Sequence, residues 1–445
     1  MTNRTLPLAP PPHRVLIVGG GVAGLEIASA LGRRYGAERS GTGRPAATVT
    51  LLDRGFAHVW KPMLHTIAAG TRDISLHQTT YIAQARDAGF AYEPGALHGL
   101  DRASQTVLVG PLVEPDGRLL IPERRLRYDT LVMALGSQAH AFGTPGVAEH
   151  CWTIDSREEA SAFNHELRIR LLQCLARDTE LRIAIVGGGA TGVEMAAELV
   201  QLAEAAAAYG AQGMRERIHI TLIDSGRRLL QAFPEDISHA TRQRLEALGI
   251  TVLSESRVNL AHAHGVTLAD GRQVPAALTI WAAGVKGPDV LAGLDGLETT
   301  PSQQLRVLPS LQTTADETIY AVGDCASLTP QGAGRPLPPT AQVAHQQAQH
   351  LIRHLPRTIA QGREVPAFAY RDFGSMVSLG DYDAYASLGK FGLLEGLSLR
   401  GRLAQVSHAL LYRDHQARLH GRFRGSLLWL AEWLSTRVRG TLRLD

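Results

Sequence analysis

Two glycine turns hold the residues best suited to chemistry. Gly19-Gly20-Gly21-Val22-Ala23-Gly24 follows the apolar run 14–18, and Gly187-Gly188-Gly189-Ala190-Thr191-Gly192 follows a similar run that begins at Arg182. Each run lacks polar alternation, as a strand buried on both faces does, and a helical pattern starts directly after the last glycine. That order of strand, turn and helix suits a dinucleotide. Gly19 and Gly187 allow the tight turn, Gly21 and Gly189 let a pyrophosphate reach the backbone, and Gly24 and Gly192 let the helix pack on its strand. The phosphate charge meets free N–H groups and the helix dipole. Residues 14–31 and 182–199 match at ten of eighteen positions with a constant offset of 168. Two copies imply two nucleotides.

The expected strand 47–52 ends at Asp53, and the expected strand 218–223 delivers Asp224. An acid at either place would hold a ribose hydroxyl, and at Asp224 it would repel a 2′-phosphate, favouring NADH over NADPH. Arg227 and Arg228 follow closely and could accept that phosphate instead. Asp53 lies 29 residues past Gly24 because a Gly/Ser/Pro-rich loop, 40–45, intervenes, and the alternative for it is a solvated turn residue. Glu194, two residues past Gly192, falls in the first helical turn, where the dipole favours a carboxylate; Glu26 occupies the matching place in the first copy. Buried strands ending in small residues are expected at 129–137 and 278–284, and an acid-terminated strand at 318–324, with a short meander over 97–131 and a helix over 156–178. A Pro/Gly-rich loop, 330–339, leads into the helix opened by Ala341-Gln342-Val343-Ala344-His345-Gln346-Gln347. His345, His350 and His354 read as ordinary polar helix positions rather than metal ligands, and no metal site is expected.

At this point the chain resembles the two-dinucleotide-binding-domain flavoproteins, and within them the type II NADH dehydrogenases, non-pumping NADH:quinone oxidoreductases. The paired GGGxxG turns with Asp53 and Asp224 carry the superfamily resemblance, together with 318–324 and the strand ends 133–137 and 281–285. AQVAHQQ, residues 341–347, is similar to the quinone-site motif of the type II family, and 373–389 with 408–421 look like its bacterial branch. The resemblance implies FAD on Gly19, Gly21, Val22, Ala23, Gly24, Asp53, Arg54, Lys61, Leu97, Gly136, Gly323 and Asp324. It implies NADH on Gly187, Gly189, Gly192, Glu194, Asp224, Ala283 and Gly284, and a quinone against Pro339, Ala341, Gln342 and Gln346. Glu194 would orient nicotinamide and flavin, or simply cap its helix; Gln342 would bond a quinone carbonyl, or serve as a polar helix-start residue. Lys61, in the HVWKPMLH segment, would steady the flavin, and Lys390 would lie toward the quinone end.

The implied architecture is α/β: two Rossmann-like dinucleotide-binding domains plus a C-terminal amphipathic helical region. The FAD domain is discontinuous, over 14–145 and 286–390 (the second part carrying the quinone segment), with the NADH domain, 146–285, inserted and a membrane-surface region over 391–445. At 445 residues, 44% hydrophobic and 20% charged, the chain is an ordinary globular protein. Cys151, Cys174 and Cys325 form no CxxC pair and suit a reducing compartment; with no cysteine pair, nothing suggests electrons pausing on a disulfide. The proline-rich start has no signal-peptide core, and no apolar run reaches about 18 residues, so no bilayer span is expected. Residues 397–445 hold nine arginines against three acids, about +6 in a chain of formal charge +3. Leu427, Leu430 and Leu434 with Trp429 and Trp433 fit one side of a helix lying on an anionic lipid surface at the cytoplasmic face of the membrane; the alternative is a helix packed on the body or in a homodimer seam. No nucleic-acid partner is expected. A soluble-acceptor ferredoxin or rubredoxin reductase, a sulfide:quinone oxidoreductase, and an interaction flavoprotein resembling apoptosis-inducing factors are the competing readings.

Overall fold

The computed structural model describes residues 11–40, 46–114, 116–208, 211–380, 382–388, 398–400 and 402–438. Lys390 and the arginines beyond Val438 lie outside these residues. The chain divides into two compact units, one built from Met1–His58, Thr79–Ser137 and Gly287–Ala369, the other from Val59–Gln78, Gln138–Lys286 and Tyr370–Asp445. The described residues of 59–78 and 370–388 therefore cluster with the second glycine turn, whereas the sequence reading groups them with the first.

In the first unit the strand His13–Val18 lies at the centre of a six-stranded sheet. Ala47–Asp53 and then Ala91–Pro94 run parallel on one side, with Thr130–Met133 and then Asp316–Ala321 on the other. Leu16, Ile17, Leu51, Leu131 and Ile319 are at most 2% exposed, which is why these runs carry no polar alternation. The strand 316–321 completes a sheet begun 300 residues earlier because Leu131 pairs with Ile319 and Met133 with Ala321. The chain thus leaves this unit and returns to it, as the sequence implied for the discontinuous domain. Helix Val22–Ser40 packs against helix Ala341–Gln361. A three-stranded antiparallel sheet of Leu97–Asp101, Thr106–Val109 and Arg124–Arg127 forms the expected meander.

The second unit repeats the plan. Leu181–Val186 is flanked in parallel by Ile218–Ile223, then Thr251–Leu253, and on the other side by Leu278–Trp281. Helix Arg157–Arg177 starts where Ser156 Oγ accepts the Glu159 N–H and stops at Asp178, whose left-handed backbone ends the helix. One antiparallel three-stranded sheet, Val258–Pro275, is inserted before the strand Leu278–Trp281, and a second is formed by Gly374–Leu379, Asp383–Leu388 and Ser398–Arg400. The basic tail forms two helices, Arg402–His420 and Arg422–Val438, broken at Gly421 (φ +83°), rather than one. Among the described residues, no helix is long and apolar enough to cross a membrane.

Candidate functional site

Both glycine turns are fixed by the acid at the end of the second strand. Asp53 Oδ2 accepts the Gly20 N–H at 2.6 Å and Oδ1 accepts the Gly55 N–H at 2.7 Å. Asp224 does the same in the second unit, accepting from Gly188 at 2.6 Å and Gly226 at 2.7 Å. The turn carbonyls are held too. Gly20 O accepts from Tyr81 Oη and faces His58 Nδ1, both at 3.0 Å, and Gly188 O accepts the Leu230 N–H at 2.8 Å. These carbonyl partners were not legible in sequence, because they lie 38 to 61 residues from the glycines they hold.

The glycine types follow from space. A Cβ on Gly24 would drive into the Gly19 carbonyl, and one on Gly192 into the Gly187 carbonyl, so helix and strand pack this closely only with glycine there. Gly21 and Gly189 would instead project a Cβ into open space at the mouth of each turn, where a bulky ligand group would meet bare backbone. That cradle fits a pyrophosphate in each unit.

Several other candidates of the first unit lie on or near the turn that follows the returning strand. Asp324, on the short turn Gly323–Cys325, accepts from Ser137 Oγ at 2.8 Å, and its backbone carbonyl accepts from Gln304 Nε2 at 2.9 Å. The same turn is held by Gln347, 1% exposed, whose Oε1 accepts the Gly323 N–H at 2.7 Å. Gly136 is half-buried, with open space beside it. Helix Ala341–Gln361 begins with Thr340 Oγ accepting the Val343 N–H at 3.3 Å. It buries Val343, Ala344, Gln347 and Ala348 and leaves Ala341, Gln342, His345 and Gln346 half-exposed on the opposite face, with Pro339 exposed just before it. Arg54 is exposed, and Leu97 is buried in the meander. Glu26, 3% exposed, sits 2.8 Å from His345 Nδ1 and accepts from Gln349 Nε2 at 2.9 Å. His345 is therefore not an ordinary polar helix position. Sequence spacing could not pair residues 319 apart.

In the second unit Glu194 is buried beneath its helix. Its Oε1 accepts the Ser378 N–H at 3.0 Å, and its Oε2 stands 3.6 Å from His65 Nδ1, too far for a full hydrogen bond. Burial pushes its carboxyl up to about 8; the Ser378 N–H pulls the other way and the charge of Glu198 adds to the rise. Glu198 accepts the Thr71 hydroxyl. Lys61, on the short 3₁₀ turn Lys61–Met63, pairs with Asp155 at 3.3 Å. Arg228 donates to the Phe233 and Gln231 carbonyls, whereas Arg227 is exposed and lies 3.7 Å from Glu255. Ala283 and Gly284 lie at the end of the strand Leu278–Trp281, half-buried and exposed.

The cysteines do not form a redox pair. All three are free, and burial pushes the Cys325 thiol up to about 12, so it is no ready thiolate. Among the described residues no cluster could hold a metal ion.

The chain belongs to the pyridine nucleotide-disulphide oxidoreductase family, whose pattern it matches over residues 13–348. Within that class it belongs to the type II NADH:quinone oxidoreductases. It is 37% identical to the type II NADH:quinone oxidoreductase of Haemophilus influenzae, over 97% of this chain and 99% of that one. A Staphylococcus aureus protein of the same name is 26% identical over 88% of this chain and 92% of its own. The fold is shared with the solved structure of NDH2 from Plasmodium falciparum in complex with NADH, at a TM-score of 0.79 and 19% identity, covering 98% and 100% of the two chains.

Proposed function

We propose that this chain oxidises NADH and reduces a quinone by two electrons, with FAD between them, and pumps no protons. The single observation that carries the reading is the repeated cradle: two open glycine turns, each braced by an acid, in separate units of a chain that belongs to this family. Bound in the first cradle, FAD would supply the two-electron chemistry that links NADH oxidation to quinone reduction.

The first unit's turn at Gly19, Gly21 and Gly24, with Asp53, Gly136 and Asp324, would grip the flavin, since open backbone and oriented N–H groups gather there. Val22 and Ala23 open the following helix. The second unit's turn would bind NADH, with Asp224 accepting from the ribose hydroxyls while holding Gly188. The carboxylate repels a 2′-phosphate, and Arg228, engaged with two backbone carbonyls, is not available to attract one. Glu194 would orient the nicotinamide; up to about pH 8 it carries a proton, and so can donate a hydrogen bond as well as accept one. Gln342 and Gln346 offer amides on the half-exposed face of their helix, the groups a quinone carbonyl needs. Lys61, tied to Asp155, stands on the turn that leads into the short helix Leu64–Ala69, which carries His65, rather than as a loose cation.

The reading extends to a lipid surface on the cytoplasmic side, where free cysteines persist. Leu427, Leu428, Trp429, Leu430, Trp433 and Leu434 are each 43–56% exposed on helix Arg422–Val438. Such apolar exposure beside arginines suits an interfacial helix, and it would keep the enzyme where a lipid-soluble quinone is found. The test is spectroscopic: the purified protein carries FAD, NADH bleaches it, and a short-chain quinone restores the colour rapidly. Failure of the quinone to reoxidise it defeats the assignment.

A further inference from the structure

The glutamate two residues past the last glycine is buried in both nucleotide units, and in each it faces a histidine from another element. In the second unit the two stand 3.6 Å apart. In the first the contact is made: Glu26, its side chain 2% exposed, lies 2.8 Å from His345 Nδ1 and accepts from Gln349 Nε2 at 2.9 Å. A polar group that deep is satisfied by its two hydrogen-bonding partners on Oε2. It fixes the histidine ring by Nδ1 and leaves Nε2 outside that contact. His345 keeps 25% of its side chain exposed, so water can reach the ring.

The place of this pair matters. Gln342, His345, Gln346 and Gln349 recur at spacings of three and four, so they share one face of helix Ala341–Gln361. Glu26 therefore anchors the face that bears the quinone-site glutamines. Quinone reduction by NADH has a defined proton demand. The hydride brings two electrons and one proton, and the balance NADH + H⁺ + quinone → NAD⁺ + quinol requires one more. Glutamine has no proton of that kind to give. Facing His345 from helix Val22–Ser40 is Glu26; from the turn Gly323–Cys325, packed on the same helix, the acid is Asp324, held by Ser137; along its own helix the next titratable group is His350, bonded to the Pro366 carbonyl.

Resting on the quinone reading above, we propose that His345, oriented by Glu26, is the acid that delivers the second proton to a quinone oxygen. The Nε2–H bond breaks as the quinol O–H bond forms. The ring is left neutral with Nδ1–H on Glu26, and water restores the Nε2 proton. Glu26 and Gln349 are positioning residues, acting through the ring.

The experiment is steady-state kinetics on the full-length, FAD-loaded protein with a short-chain quinone, and with ferricyanide, whose reduction forms no O–H bond. In His345→Ala, kcat for the quinone falls at least about tenfold, as for loss of a general acid, with KM for the quinone within about twofold. The ratio of quinone to ferricyanide turnover falls by the same factor, and imidazole added to the assay restores part of kcat. Glu26→Gln lowers kcat in the same direction, with the melting temperature of each variant checking the fold. A raised quinone KM at unchanged kcat, an unchanged ratio, or no rescue by imidazole overturns the proton-donor role while leaving quinone reduction standing. Absence of quinone reduction by the unmutated protein overturns both.

Discussion

Glu194 links local burial to a measurable property of the whole chain. Its carboxyl titrates at about 8 in the folded state, far above the ordinary glutamate value, because burial opposes its charge. Between the two values the folded state holds a proton that the unfolded state has released. Stability therefore falls as pH rises across that window, by up to about 1.4 kcal/mol per pH unit from this one group, and levels off above pH 8. Glu194→Gln should flatten the decline: its melting temperature should gain on the unmutated protein steadily from pH 5 to pH 8. A constant difference across that range contradicts the buried, protonated state. Asp224 makes two contributions at once. Asp224→Ala leaves the Gly188 and Gly226 N–H groups without their acceptor, costing about 1–3 kcal/mol for each buried group left unpaired. It should also raise KM for NADH at least about tenfold through loss of ribose contacts of about 1.4 kcal/mol or more. An unchanged KM with a lowered melting temperature would leave the acid a purely structural part.

At the scale of elements, the two glycines of one turn separate fold from ligand. Gly192→Ala forces a Cβ into the Gly187 carbonyl, and the melting temperature should drop by several degrees, as for about 1–3 kcal/mol of overpacking. Gly189→Ala meets open space, so stability should hold while KM for NADH rises. Equal effects of the two on melting temperature would remove that distinction. The tail helix Arg422–Val438 makes a different prediction, since Glu432 is buried against Arg413 and His77 while its leucines and tryptophans are exposed. Leu430→Glu with Trp433→Glu should release the protein from vesicles of anionic lipid and spare turnover of a soluble quinone; unaltered pelleting would assign that face to packing or to a second copy. These elements also mark how far the sequence could be read. Both strand–turn–helix units, the meander, the helix capped by Ser156 and the helix opened at Ala341 were legible because each is set by neighbours within a few residues. The break at Gly421 was missed, since apolar spacing alone does not reveal a positive φ. Contacts of Glu26 with His345 and of Glu194 with His65 and Ser378 were missed because they join segments 129 to 319 residues apart.

For the molecule as a whole, function rests on a duplication put to two uses. The same turn, brace and buried glutamate appear in both units, but their surroundings have diverged. One glutamate is tied to a histidine on the helix with the AQVAHQQ motif; the other is closed over by residues 65 and 378. Divergence of that kind is what a relay between unlike partners requires. The family explains why no cysteine pair is needed: electrons leave by a quinone rather than a disulfide, in keeping with a Cys325 thiol pushed up to about 12. The decisive measurement is a steady-state assay of the purified protein with NADH or NADPH, with and without a short-chain quinone. NADH oxidation should be rapid, depend on the quinone and form one quinol per NADH, with kcat/KM for NADPH at least about tenfold lower because Asp224 repels the 2′-phosphate. NADH oxidation indifferent to added quinone, with slow turnover throughout, would contradict the relay.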